Sequence, residues 1–237
     1  SFWDTKTTGV KNSMLVCENV SYVYKTKYQK IEAVKNVSIK FEPGKMYAIT
    51  GESGSGKSTL LSLLSGLDHP SDGNIYFNGE NMRNIDRDLY RLKEISIIYQ
   101  MFYLFPLLTS VENVMLPLQL QGVRDSCAKK IAKECIYKVG LSEKNFSQYP
   151  KMMSGGEQQR IAIARALATG GHIILADEPT GNLDSKNEKK IVDILKRLAS
   201  EQGYLVIVVT HNHEVSRKAD CIFTMKDGEI IKVTNQS

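Results

Sequence analysis

The chain has 237 residues, of which 42% are hydrophobic and 24% are charged. These fractions are ordinary for globular proteins, so they exclude a disordered, collagen-like or low-complexity chain, and the length predicts one large domain or two small ones. The 31 lysines and arginines against 26 acidic residues exclude a histone-like polycation and permit an anionic partner such as a nucleotide, a nucleic acid or a membrane surface.

The N-terminus and the cysteines give further expectations. The sequence contains no run of about 18 apolar residues and no secretory signal, so we expect a cytoplasmic protein that does not itself cross a membrane. The four cysteines include no C-x-x-C pair, which favours buried thiols over a metal or redox site. Because residue 1 is not methionine, residues 1–13 are expected to be an extension or an expression remnant before Met14, although Trp3 could dock on the domain.

Strands open the predicted fold. Alternating apolar residues predict an antiparallel β layer from three segments, 15–17, 20–24 and 33–41. The next apolar run, Met46–Thr50, is typical of a buried strand, and after a glycine-rich turn residues 58–65 predict a helix that ends at Gly66. A strand, a glycine-rich loop and a helix therefore follow one another.

That loop carries the clearest motif. Residues 51–58 read Gly-Glu-Ser-Gly-Ser-Gly-Lys-Ser, which matches the P-loop pattern G-x-x-x-x-G-K-[ST]. Glycines let successive N–H groups face phosphate oxygens, Lys57 would reach the β- and γ-phosphates, and the Ser58 hydroxyl would bind Mg²⁺. The alternative interpretation is a flexible turn capped by Ser58. The strand before the loop and the helix after it disfavour this alternative. The predicted nucleotide-binding residues here are Gly51, Ser53, Gly54, Ser55, Gly56, Lys57, Ser58 and Thr59.

Helical patterns dominate the middle of the chain. Residues 110–113 are close to a helix-capping box, and apolar residues recur at helical spacing over 131–139. We therefore predict a helical insertion at about 101–168. Most of the apolar stretch 101–108 is expected in the core, with Phe102 and Tyr103 as candidates for an exposed groove.

Parallel-sheet character then returns in residues 173–176, an amphipathic helix over 191–198 and the strand Leu205–Val209. The predicted fold class is α/β, a P-loop NTPase core with a mostly parallel sheet, an N-terminal antiparallel β layer and a helical insertion. It forms one domain over 14–237, with its core at 14–100 and 169–237 and a helical subdomain at about 101–168.

Two later motifs could act with the P-loop. The strand at 173–176 delivers Asp177 and Glu178 to the sheet edge where ligands bind in α/β proteins, so Asp177 could hold Mg²⁺ and Glu178 could polarise a water. On their own, two acids after a strand are more often a helix cap. Ser154, Gly155 and Gly156 at a helix start form either an anion site or a simple cap.

These motifs, followed by His211, resemble the nucleotide-binding subunit of ATP-binding-cassette (ABC) transporters over essentially all of 14–233. The resemblance implies an Mg²⁺-dependent ATPase in which two cassettes, copies or relatives, close on two ATP molecules. Ser154, Gly155 and Gly156 would then serve the partner's nucleotide. It also implies transmembrane permease subunits, a place on the inner face of the cell membrane, and no nucleic-acid partner.

The resemblance assigns further residues. Gln100 matches the loop that touches Mg²⁺ and water, Asp184 matches the loop that crosses the dimer interface, and His211 matches the histidine that contacts the γ-phosphate. Tyr24 suits the aromatic that stacks on adenine, although Tyr22 and Tyr28 compete and simple packing is the alternative. The implied catalytic residues are Lys57, Gln100, Glu178 and His211, and the implied metal ligands are Ser58, Gln100 and Asp177.

Residues 176–185 and 105–114 look like the branch with macrolide exporters, lipoprotein-releasing ATPases, bacitracin-type antimicrobial-peptide modules and the cell-division ATPase. This favours export. The main alternative is a cell-division ATPase that signals through a membrane partner without moving a solute. A DNA-repair type is disfavoured because no sustained heptads lie between the P-loop and Asp177, and a binding module without turnover is the third class.

Overall fold

The computed structural model describes residues 13–25 and 27–236, so the predictions for 1–12, including Trp3, lie outside the described residues. In chain order the elements are β1 (Leu15–Lys25), β2 (Lys30–Phe41), β3 (Met46–Thr50), α1 (Lys57–Leu64), β4 (Asp72–Phe77), β5 (Glu80–Asn81), α2 (Arg87–Lys93), β6 (Ile95–Tyr99), α3 (Ser110–Leu120), α4 (Asp125–Lys138), α5 (Gly155–Ala168), β7 (Ile173–Asp177), α6 (Ser185–Gln202), β8 (Leu205–Val209), α7 (His213–Ser216), β9 (Cys221–Lys226) and β10 (Glu229–Asn235).

The N-terminal layer is an antiparallel sheet, as predicted, and its strand order is β2-β1-β4-β5. The two segments predicted at 15–17 and 20–24 are one strand, because the pairing register shifts between Cys17 and Val20 instead of ending there. Glu18 and Asn19 are exposed, and Asn19 has a left-handed φ of 50°. Such a bulge breaks the apolar alternation without breaking the strand.

The second sheet has six strands in the order β10-β9-β3-β8-β7-β6, and only β10 runs antiparallel to its neighbour. Its register aligns the strand ends, since Asp177 lies opposite both Tyr99 and Val209, and Val209 also lies opposite Ile49. The segments that follow β3, β6, β7 and β8 therefore leave the sheet at the same carboxyl edge, where α/β sheets bind ligands.

The two faces of this sheet belong to different cores because side chains alternate along each strand. In β7, Ile174 and Ala176 pack with α3, α4, α5 and α6, whereas Ile173 and Leu175 pack with α1 and the antiparallel sheet. All four side chains are buried. The predicted fold class is thus confirmed.

Helices α3, α4 and α5 lie between β6 and β7 in the chain. The division of the chain into two subdomains, with boundaries at about residues 101 and 168, stays a prediction. The capping box of α3 is shifted by one residue from the prediction: Thr109 is the N-cap, and the Glu112 carboxylate accepts from its N–H at 2.8 Å. Ser110 is instead fully buried inside the helix and donates to the Gln148 carbonyl at 3.2 Å.

The expectation that most of residues 101–108 lie in the core is wrong. Most of these residues are exposed, and only Phe102, Leu104 and Leu108 are partly buried; the exposed ones are Met101, Tyr103, Phe105, Pro106 and Leu107. Among the described residues, no helix combines the length and the apolar character that a membrane span requires. Three of the cysteines are buried as free thiols, while Cys127 is only partly buried.

Candidate nucleotide-binding site

A cavity of about 1000 Å³ opens at the carboxyl edge of the parallel strands. The P-loop forms one side of it, and the ends of β6, β7 and β8 form another. Its lining includes these predicted residues: Tyr24, Gly51, Ser53, Gly54, Gly56, Lys57, Ser58, Thr59, Gln100, Asp177, Glu178 and His211. The tertiary structure therefore gathers five separate parts of the sequence around one space.

The backbone of the P-loop takes a path that only glycine permits at Gly56. Its φ is 99°, and a Cβ added there would lie 2.1 Å from the Ala33 carbonyl oxygen of β2. Gly56 is the N-cap of α1 and carries no side chain, so the first N–H groups of that helix have no capping partner from it. A helix N-terminus of this kind attracts anions.

The ammonium group of Lys57 is held inside this loop. Its Nζ donates to the carbonyl oxygens of Gly51 at 2.9 Å and Glu52 at 2.8 Å. Lys57 is 8% exposed, and Ser55 lies buried behind the loop, with its Oγ 3.5 Å from the same nitrogen. Ser55 is thus the one predicted P-loop residue whose side chain supports the loop and does not line the cavity.

Oxygen donors suited to Mg²⁺ face the cavity beside the lysine. The Ser58 hydroxyl hydrogen-bonds the Asp177 carboxyl, so these two predicted ligands are neighbours. Burial, and then the charge of Glu178, raise the pKa of Asp177, and the hydrogen bond from Ser58 opposes that rise. With the Gln100 amide oxygen they make an all-oxygen set, which is what Mg²⁺ prefers, so the residues fit the ion.

Glu178 stands in a strained backbone conformation. Its φ is 47°, in the left-handed region that costs a non-glycine residue about 1–3 kcal/mol. Its N–H donates to the Val209 carbonyl at 2.9 Å, and its carboxylate accepts from the Thr210 hydroxyl at 3.2 Å and from the His211 N–H at 3.0 Å. The surrounding segments therefore hold both the backbone and the carboxylate of this residue.

Tyr24 forms the outer wall of the cavity. It is 43% exposed, its hydroxyl lies 3.2 Å from the Thr59 Oγ1, and the Tyr22 ring packs edge to face on it at 4.9 Å between centroids. Among the residues that line the cavity Tyr24 is present, while Tyr22 and Tyr28 are not. The geometry therefore places Tyr24, and not its two competitors, where a base could stack.

Besides Ser55, four predicted site residues stay outside the cavity of the described chain: Ser154, Gly155, Gly156 and Asp184. Ser154 caps α5 in a capping box, in which its N–H donates to the Glu157 carboxylate at 3.0 Å. Asp184 caps α6 and accepts from the Asn187 N–H at 3.0 Å. Both segments therefore start helices, as a simple cap would, and neither lines the cavity at the chain's own P-loop.

Part of the cavity wall comes from distant segments that the sequence motifs do not predict. Ile31 and Ala33 of β2 and the turn at Asp227 and Gly228 also line the cavity. The Gly228 N–H donates to the Ser55 carbonyl at 3.1 Å, which fastens this turn to the P-loop. An Asp-Gly pair signals a tight hairpin, but the signal does not reveal which loop the hairpin will touch.

Comparisons with known proteins agree with this geometry. A family model described as "ABC transporter" matches residues 34–181. The protein MJ1508 of Methanocaldococcus jannaschii, an uncharacterized ABC transporter ATP-binding protein, is 43% identical over 94% of this chain and 100% of its own length. The chain belongs to the ABC transporter family. It is an ATP-binding cassette of that family and has the ATPase fold of an ABC transporter subunit.

Solved structures of ABC cassettes match it closely. A dimeric structure of MJ0796, also from M. jannaschii, has a TM-score of 0.84 and 41% identity, and the match covers 93% of this chain and 98% of that one. A second dimer of MJ0796, in a post-hydrolysis state with ADP and Pi, has a TM-score of 0.84 at 40% identity. CbiO1 of Clostridium perfringens, part of the cbiONQ complex, has a TM-score of 0.85 at 25% identity over 95% of this chain and 89% of its own.

Proposed function

We propose that this ABC cassette hydrolyses ATP with the help of Mg²⁺ and powers an exporter or a system of the antimicrobial-peptide or lipoprotein type. The observation that carries the hydrolytic part is the convergence of an open helix N-terminus with Lys57 and Glu178 on one cavity. Phosphate binding and water activation then occur in the same space. Phosphoryl transfer asks mainly for positioning and charge stabilisation, which this arrangement supplies.

In the proposed mechanism the P-loop binds the phosphates. Backbone N–H groups at the start of α1 face the phosphate oxygens, and Lys57 offsets their charge from within the loop. The ring of Tyr24 stacks on the base at the mouth of the cavity. Nucleotide is thereby held at both ends, with the γ-phosphate directed toward the ends of β7 and β8.

Glu178 is the proposed general base. Its carboxylate accepts the proton of a water that attacks the γ-phosphorus, and the bond to the leaving ADP oxygen breaks as the new bond forms. Thr210 and the His211 N–H orient that carboxylate, and the His211 imidazole contacts the γ-phosphate. The left-handed backbone of Glu178 fixes the direction of the side chain.

Ser58, Gln100 and Asp177 would hold Mg²⁺ in this site. The ion neutralises charge on the β- and γ-oxygens when it is bound. Burial, and then the charge of Glu178, raise the pKa of Asp177 and so disfavour its charged form. A cation bound there would favour the charged carboxylate.

The second half of each site comes, in our proposal, from another cassette, either a second copy or a relative. Ser154, Gly155, Gly156 and Asp184 do not line this chain's own cavity, so they are available to a partner's nucleotide. The dimeric structures of MJ0796 support such a pairing. Closure on two ATP molecules and separation after hydrolysis would deliver the mechanical work.

Transmembrane permease subunits are the proposed recipients of that work, with the cassette on the inner face of the cell membrane. CbiO1 is part of the cbiONQ complex, which supports assembly with other subunits. The exposed side chains of Met101, Tyr103, Phe105 and Leu107 offer an apolar surface beside Gln100. None of the relatives named above is described as a cell-division protein, so that alternative gains no support.

Two measurements test this function. The first is release of phosphate from ATP by the full chain, with Mg²⁺ and with EDTA. Turnover that needs Mg²⁺ supports the proposal, and binding of ATP without turnover in the presence of its membrane partner would favour a plain binding module.

The second measurement is identification of the membrane protein that co-purifies with the chain from its source. A partner that moves a peptide, lipid or macrolide supports an exporter, whereas a partner without solute transport contradicts one.

A further inference from the structure

A fully buried glutamine of α5 joins three segments that the mechanism uses. Gln159 is 0% exposed, and its Nε2 donates to the carbonyl oxygens of Pro179 at 2.6 Å and Tyr99 at 3.3 Å. The reverse orientation of the amide would point its oxygen at both carbonyls, so only this orientation makes the two hydrogen bonds. One side chain thus connects α5 to the chain segments that follow β6 and β7.

Those two carbonyls sit beside two proposed catalytic residues. Tyr99 directly precedes Gln100, and Pro179 directly follows Glu178. The Tyr99 carbonyl shares a planar peptide unit with the Gln100 nitrogen, so a shift of that carbonyl turns Gln100 with it. The Pro179 carbonyl lies one residue beyond Glu178, and the fixed φ of proline limits how far the two can move independently. Glu178 is especially sensitive, since its left-handed backbone persists only when the surroundings hold it in place.

The other end of the amide indicates why a glutamine is used. Its Oε1 is buried and has no hydrogen-bond partner among the residues that the structure describes. A buried acceptor without a partner is destabilising, and a methionine would fill a similar volume without that cost. The two hydrogen bonds that the amide donates offset this cost, and a methionine would leave the Pro179 and Tyr99 carbonyls without these donors.

We infer that Gln159 is a positioning residue for ATP hydrolysis, an inference that rests on the proposed function. It fastens the backbone next to Gln100 and Glu178 to the helix that begins at Ser154. The distance from Ser154 to Gln159 is about one and a half helical turns, so the two move as one rigid piece. When a partner's nucleotide seats on Ser154, this piece also sets the position of the general base in the chain's own site.

The test compares two glutamines of the full chain. In Gln159→Met both donors are lost at nearly constant volume. We expect kcat for ATP to fall by about 10- to 100-fold, because small misplacements of catalytic groups cost that much, while the Kd for ATP stays unchanged. The matched control is Gln121→Met. The Gln121 amide likewise bridges two carbonyls, those of Leu92 at 3.1 Å and Thr169 at 3.3 Å, but neither of these residues adjoins a residue that lines the cavity.

The values of kcat and Tm for the two variants decide whether the inference holds. A lower kcat in Gln159→Met, with a Tm no lower than that of Gln121→Met, supports the inference. A wild-type kcat, or equal losses of kcat in both variants, overturns it. If Gln159→Met does not fold, Gln159→Asn, which keeps an amide but is one methylene shorter, carries the same expectation for kcat. Absence of turnover in the wild-type chain with its membrane partner is the different result that would reject the proposed function itself.

Discussion

The imidazole Nδ1 of His211 lies 2.7 Å from the Oε1 of Glu178. The two side chains differ sharply in exposure, since His211 is 73% exposed and Glu178 is 18% exposed. The carboxylate is also held by the backbone of His211 and by the hydroxyl of Thr210, so its position does not depend on the imidazole. The exposed ring is therefore the member of this set that can turn to a γ-phosphate while the carboxylate keeps its place.

The first prediction concerns the base. Glu178→Gln keeps the shape of the side chain and its hydrogen bond from the backbone but removes the proton acceptor. We expect ATP turnover to fall by at least about 100-fold, as for loss of a general base, while ATP still binds. Phosphate release and equilibrium binding of ATP are the two measurements.

Glu214→Gln is the control, because Glu214 is an exposed carboxylate of α7 that pairs with Arg217 outside the cavity. It should hydrolyse ATP at the wild-type rate. If Glu178→Gln also turned over at that rate, Glu178 could not be the base. Size-exclusion chromatography with ATP should in addition show a dimer that the slow variant retains for longer than the wild type does.

The second prediction concerns the P-loop glycines. Gly56→Ala must adopt a left-handed φ and also push the Ala33 carbonyl away from 2.1 Å. Gly54→Ala has the same kind of φ, 81°, but nothing lies within 4 Å of the added Cβ. The backbone penalty of about 1–2 kcal/mol is therefore common to both, and the clash is unique to Gly56. Urea unfolding should show a clearly larger loss of stability for Gly56→Ala, and equal losses would contradict the described loop.

The third prediction concerns Tyr24. Stacking of a base on an aromatic ring contributes about 1–3 kcal/mol, so Tyr24→Ala should weaken ATP binding by about fivefold to 150-fold. Tyr28→Ala should bind ATP as the wild type does, since Tyr28 is 88% exposed and does not line the cavity. Titration with ATP measures both. An equal effect of the two variants would show that Tyr24 is not the stacking residue.

The Tyr24 hydroxyl has a separate and smaller role. It lies 3.2 Å from the Thr59 Oγ1, which connects the aromatic wall to the first turn of α1. Tyr24→Phe keeps the ring and loses only this contact. We expect its ATP affinity to lie much closer to that of the wild type than to that of Tyr24→Ala, which the same titration decides.

The fourth prediction concerns pH and the cap of α5. Hydrogen bonding from the Ser154 N–H, with further help from its hydroxyl, holds the pKa of Glu157 below its ordinary value of 4.5. A carboxylate whose pKa is lower in the folded chain stabilises it above the unfolded pKa and loses that contribution as the pH falls through the folded pKa. Glu157→Gln, which can keep the hydrogen bonds of the cap but loses its charge, should therefore destabilise the chain by about 0.3–1 kcal/mol at pH 7.

The difference should shrink as the pH drops below 4.5, which urea unfolding at several pH values can follow. Glu134→Gln, an exposed position in the body of α4, serves as the matched control. Its effect on stability should be small at pH 7. A loss in Glu157→Gln that stays constant from pH 7 to well below 4.5 would rule out a contribution from the charged cap.

The strands and the P-loop could be predicted because their signals are local. The run Met46–Thr50 and the pattern over 51–58 place a strand, a loop and a helix within a few residues of one another, and the structure follows them closely. The sequence predicts the capping box of α3 one residue too late, because Thr109 and Ser110 are both suitable N-caps in isolation. Burial of Ser110 against the segment at Gln148 decides between them, and that contact is not local.

The sequence determined that a phosphate-binding loop, a pair of acids and a helix-capping Ser-Gly-Gly segment would each sit at the end of a regular element, because alternation, helical spacing and turn residues are written in neighbouring positions. Only the tertiary structure decided which of them meet. Parallel pairing brings the ends of β3, β6, β7 and β8 to one edge, and packing of α5 brings Gln159 to Pro179 and Tyr99, residues 20 and 60 positions away. Such contacts depend on how whole elements pack, which no short stretch of sequence specifies.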